Sequence, residues 1–136
     1  MKDWTEKYIG LPWSKDGNGP DVYNCWNLVK KIKKEVQGIS LPEHNAITGE
    51  DFERYALKIT KESSNPDKWK KLTCPEPFCL VGMSLSKKFL HHVGLYLPED
   101  GGVVLHCHES SGCIIEDIQS LKMKGWRRIE YYGYCN

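Results

Sequence analysis

The period of the apolar residues changes once along this chain, near Phe78, and no other feature restricts the fold as much. After that point the pattern is strand-like. Val93, Leu95 and Leu97 alternate with His92, Gly94 and Tyr96, so the two sets lie on opposite faces of a strand over residues 92–97. Pro98-Glu99-Asp100-Gly101-Gly102 reads as a turn and residues 103–107 as the returning strand of a hairpin. Further strands are expected over residues 78–83, 113–118 and 128–134.

Before Phe78 the period is helical. Residues 3–9 read as a short helix, with Asp3 and Glu6 at capping-box spacing and Trp4 and Tyr8 on one face. Residues 13–23 are a polar loop. A helix over residues 25–37 follows, with Asn24 as its cap and an apolar stripe of Leu28, Val29, Ile32 and Val36. Lys30, Lys31, Lys33 and Lys34 fall on its solvated face, and Gly38 closes it. Phe52, Tyr55, Ala56 and Ile59 repeat the spacing in a third helix, ending near Lys61. Residues 63–67 form a loop, and Trp69 with Leu72 point to one more turn. Helices first and strands later imply an α+β fold, with N-terminal helices packed on an antiparallel sheet. The 136 residues are expected to form one domain.

Composition narrows the function classes. A net charge of +1 gives no electrostatic case for nucleic acid or an acidic membrane surface. No apolar run approaches the roughly 20 residues of a membrane span. The N-terminus lacks the apolar stretch of a signal peptide, so the chain is expected to be made in a cytoplasm and to leave it, if at all, by another route. The six cysteines are then expected to be free thiols. A zinc site using Cys74 and Cys79 with His106-Cys107-His108 lacks the usual Cys-x-x-Cys spacing, so neither metal nor other cofactor is expected.

The chemistry points to Cys25. It follows a polar loop and sits on the first turn of a helix, where the dipole and free N–H groups favour a thiolate and can hold an oxyanion. A buried, structural cysteine is the plainer alternative. Histidines lie far downstream, as the base of a thiol nucleophile usually does. If the hairpin turn spans residues 97–101, His92 faces His106. If it spans residues 98–102, His92 faces His108 and His106 is one diagonal step away. Either register puts all three on one face.

Several segments together resemble the NlpC family of cell-wall cysteine peptidases, and within it the branch found in phage tails and prophages. They are Tyr8-Ile9-Gly10-Leu11-Pro12-Trp13, Gly19-Pro20-Asp21 with Asn24-Cys25-Trp26, Gly38-Ile39-Ser40-Leu41-Pro42, His92-Val93-Gly94-Leu95-Tyr96-Leu97 and Leu105-His106. Gly112-Cys113-Ile114-Ile115-Glu116 and Trp126-Arg127-Arg128 extend the likeness to the end of the chain. The resemblance implies a compact papain-like fold, with Cys25 as nucleophile, His92 as general base and acid, and His106 as the residue that orients it. Trp13, Asn24 and Trp26 fall at substrate-binding or oxyanion positions. Trp13 stands where many relatives carry Tyr, Asn24 where Asp is common, and Asn27 where Gly is frequent.

The activity implied is cleavage of peptidoglycan stem peptides at the bond between γ-D-glutamate and diaminopimelate or lysine, with targeting by phage tail-tip proteins and a place in the virion tail. Two alternatives share the scaffold. One is a non-catalytic tail assembly component, and the other is a different amide hydrolase or acyltransferase.

Overall fold

The computed structural model describes residues 3–41, 69–86 and 90–134. The helix expected near residues 51–61 and the loop after it lie outside them. Three α-helices are described: α1 (Asp3–Glu6), α2 (Cys25–Ile32) and α3 (Ile118–Met123). The strands are β1 (Trp69–Leu72), β2 (Leu80–Ser84), β3 (His92–Leu97), β4 (Val103–His108), β5 (Gly112–Asp117) and β6 (Arg128–Tyr134). They form one sheet in the order β1-β6-β2-β3-β4-β5, antiparallel at every pairing. The fold is α+β. None of the described helices is long and apolar enough to cross a membrane.

Local chemistry explains where α2 begins. Asn24 has extended backbone angles, and its Oδ1 accepts the N–H of Asn27 at 2.7 Å, satisfying a donor that the first turn leaves free. Leu28, Val29 and Ile32 are fully buried against the sheet. Each such side chain stabilises the fold by roughly 1.5–3 kcal/mol. Beyond Ile32 the helix widens into a π-type turn, Lys33–Gln37. The wider turn changes the angular step per residue and corrects the expected faces. Lys33 is 2% exposed, with Nζ donating to Gln37 Oε1 at 2.8 Å, whereas Val36 is 37% exposed. Gly38 then ends the helix at φ +70°, a left-handed conformation that glycine takes without strain.

The sheet separates two apolar clusters. On the α2 side, Leu28, Val29 and Ile32 meet Val93, Leu95, Leu97, Leu105, Cys107 and Cys113. On the other side, Val81, Met83 and Val104 meet Leu121 of α3 and Trp126. At the β5 edge, Gly10 N donates to Cys113 O and Cys113 N to Leu11 O, so the segment after α1 covers the backbone there.

Three local expectations are corrected. Residues 69–72 are not a helical turn. They form β1, paired with Tyr131–Tyr134 of β6, a partner far away in sequence. Residue 118 does not continue β5; it starts α3, which Asp117 caps by accepting the N–H of Ser120 at 2.6 Å. The first helix stops at Glu6, and residues 7–10 are turns.

Candidate active site

Cys25 is the first residue of α2 and is 8% exposed. The backbone N–H groups of Val93 and Trp26 lie close to its sulfur. Val93 follows His92 directly, so the peptide unit joining these two residues lies against the sulfur. The N–H groups favour the thiolate, but burial acts the other way and dominates. The thiol is pushed up to about 11. The helix tip alone predicted a readily formed thiolate, and the tertiary environment holds Cys25 neutral at rest.

The hairpin adopts the register in which Gly94 faces His106 and Leu97 faces Val103, so His92 is aligned with His108. The hydrogen bond nevertheless goes to the diagonal residue. His92 Nε2 and His106 Nδ1 are 2.8 Å apart, with both rings buried. Gly94 makes this possible. A Cβ there would meet Val104 Cγ1 at 2.5 Å and His106 Cβ at 3.1 Å, so any side chain at residue 94 would crowd the ring across from it. His108 also lies close to His92, at 5.1 Å between ring centroids, but its Nδ1 bonds to Ser110 Oγ at 2.8 Å.

A second diagonal step follows. His106 pairs with Ile114 in the sheet, yet its Nε2 lies 3.1 Å from Oε1 of Glu116, two residues further along β5. The other carboxylate oxygen, Oε2, pairs with Lys124 just after α3. The line Lys124–Glu116–His106–His92 therefore runs obliquely over three strands. Diagonal neighbours on one face are within reach of long side chains.

Trp126 packs over this line. Its ring stacks on His92 at 5.1 Å with an interplanar angle of 21° and meets His106 and His108 edge-on. Burial lowers His92 well below the ordinary histidine value, and the neighbouring His106, His108 and His91 add to the effect. His106 is also lowered, mainly by burial and against the pull of Glu116. At neutral pH both rings are uncharged. A pocket of about 190 Å³ opens beside His106, with His108, Ser110, Lys124 and Trp126 also in its lining.

The structure thus brings Cys25 against the N–H of Val93, next to His92 in sequence, and joins His92 to His106. The other expected site residues sit as follows. Asn24 caps α2 and also donates from Nδ2 to Lys15 O at 3.0 Å. Trp13 is half-buried on the α2-side core and bridges to Tyr23. The indole of Trp26 is buried, so it is the backbone N–H of this residue that reaches the sulfur. Sequence reasoning gave no role to Glu116, Lys124 or Trp126. Glu116 had a signal of its own, a carboxylate placed directly after three apolar residues in a strand. Cys25, Cys74, Cys79, Cys107 and Cys113 are free thiols. Among the described residues, no group of three or more His, Cys, Asp or Glu side chains is arranged to hold a metal ion.

No family model matches the chain, and a search of curated proteins finds no match.

Proposed function

We propose that the protein is a cysteine peptidase of the NlpC type that cleaves peptidoglycan stem peptides, with Cys25 as nucleophile, His92 as base and acid, and His106 as the orienting residue. One observation carries this reading. The N–H of Val93, the residue after His92, lies against the sulfur of a cysteine at a helix tip, and the His92 ring is held by a buried hydrogen bond to His106. A thiol nucleophile, a base and a third group that orients the base make up the working set for acyl transfer.

The chemistry follows from the protonation states. Cys25 is a neutral thiol at rest and His92 a neutral imidazole, so the proton passes from Sγ to His92 as sulfur attacks the carbonyl carbon. The developing oxyanion is within reach of the N–H groups at the tip of α2. His92 then gives the proton to the leaving amine, and the C–N bond breaks to leave a thioester on Cys25. Water, losing a proton to His92, attacks the thioester. The acid leaves, and the proton returns to Cys25. Trp126 screens His92 from solvent, which keeps it an uncharged acceptor. The bond between γ-D-glutamate and diaminopimelate or lysine, and the association with phage tail-tip proteins, follow from the family resemblance.

A second reading, a tail component that keeps the scaffold without catalysis, is favoured by the depth of Cys25 and its raised pKa. One experiment separates the two. Purified protein is incubated with muropeptides beside the Cys25→Ala variant, and the products are read by mass spectrometry. The peptidase reading requires fragments from cleavage after γ-D-glutamate in the wild-type sample alone. Intact muropeptides in both samples would leave the non-catalytic reading standing.

A further inference from the structure

We propose that Glu116 is a positioning residue that sets the tautomers of both buried histidines, leaving Nδ1 of His92 as the unprotonated ring nitrogen. With both rings neutral, as their burial keeps them, donors and acceptors along the line allow one assignment. Glu116 is 8% exposed at its side chain and is paired with the Lys124 ammonium through Oε2. As a carboxylate it can only accept, so the hydrogen between Oε1 and His106 belongs to Nε2 of His106. A neutral imidazole carries one N–H, so Nδ1 of His106 is an acceptor. The 2.8 Å contact is then filled by Nε2–H of His92, and the only lone pair left on the His92 ring is at Nδ1. Without Glu116, His106 could carry its hydrogen on Nδ1 and donate to Nε2 of His92. That would place the His92 hydrogen on Nδ1 and remove the base from that nitrogen.

Burial makes the assignment persistent. Both rings are almost closed to water, so solvent cannot supply alternative partners that would let the tautomers interchange at low cost. Lys124 is mostly exposed, and its part is to pair with Glu116 rather than to touch either ring.

The tautomer assignment stands on the donor–acceptor geometry and on the burial that keeps both rings neutral, and only its kinetic consequence rests on the peptidase reading. The test is nitrogen NMR of histidine-labelled protein at neutral pH. In the wild type, His92 and His106 are both expected as neutral Nε2–H tautomers. Glu116→Ala should move both rings toward Nδ1–H or a mixture, while Glu116→Gln, whose amide oxygen can still accept, should largely restore the wild-type pattern. Lys124→Ala should leave the tautomers as they are. Where stem-peptide cleavage is measurable, Glu116→Ala should lower kcat by about 10- to 100-fold, part of what a general base contributes, with KM little changed. An Nδ1–H tautomer at His106 in the wild-type protein would overturn the proposal without any variant. So would wild-type tautomers in a folded Glu116→Ala protein. Correct tautomers with no cleavage of muropeptides would sink the peptidase reading and leave this one intact.

Discussion

The two faces of the β3–β4 hairpin are built from opposite kinds of side chain. Toward α2 stand Val93, Leu95, Leu97, Val103, Leu105 and Cys107, a continuous apolar layer. Toward α3 and Trp126 stand His92, Tyr96, Val104, His106 and His108, with Gly94 left empty between them. The first face buries hydrocarbon and needs only volume. The second buries polar rings, and each ring nitrogen must find a partner or cost stability. Stability and chemistry are thus divided across a single sheet. They meet at the start of β3, where the N–H of Val93, the residue after His92, lies against the Cys25 sulfur.

That division should survive substitution. His92→Ala is expected to lower stem-peptide cleavage 100-fold or more, the usual scale for losing a general acid–base, in a protein that stays folded. Leu105→Ala, one position away in β4 from the bonding partner of His92, should instead cost about 2–5 kcal/mol of stability in denaturant titration. The folded fraction should retain near-normal kcat. If Leu105→Ala lowered kcat as much as His92→Ala does, the two faces would not be separate in function.

Acid should strike one face before the other. Burial lowers His91, His92, His106 and His108 in the folded state, so the unfolded chain takes up protons first as pH falls through the ordinary histidine value near 6.5. Their contribution is complete above that value and is lost below it. The shifted groups near α2 act higher, with Lys33 lowered to about 8 and Cys25 raised to about 11. Thermal melts should therefore show Tm falling between about pH 6.5 and pH 5, and His106→Asn should flatten that slope. An unchanged slope in this variant would shift the acid sensitivity away from the His92–His106 pair.

The smallest expected effect falls within the histidine face. His108→Ala should change cleavage by less than about fivefold, far below the acid–base scale, because His108 is tied to Ser110 and not to His92. A loss matching that of His92→Ala, with His106→Ala silent, would make His108 the orienting residue.

What was legible in the sequence was local. The cap at Asn24, the start of α2 at Cys25, the alternation of β3 and β4 and the shared face of the three histidines each depend on residues a few positions apart. All appear in the structure as expected. The hairpin register was open between two choices, because a slip of two residues leaves every side chain on its own face. Packing around Gly94 and the full sheet settled it. Residues 69–72 carried a turn-like pattern and became a strand, since their hydrogen bonds come from β6. The same limit applies at the candidate site. Sequence placed a thiol at a helix tip and read it as activated, while the surrounding core desolvates it and raises its pKa. Glu116 and Trp126 reach the histidines only because strand order and twist bring distant segments together. Capping and alternation are properties of neighbours along the chain, whereas burial, register and proton position depend on neighbours through space, which only the tertiary fold supplies.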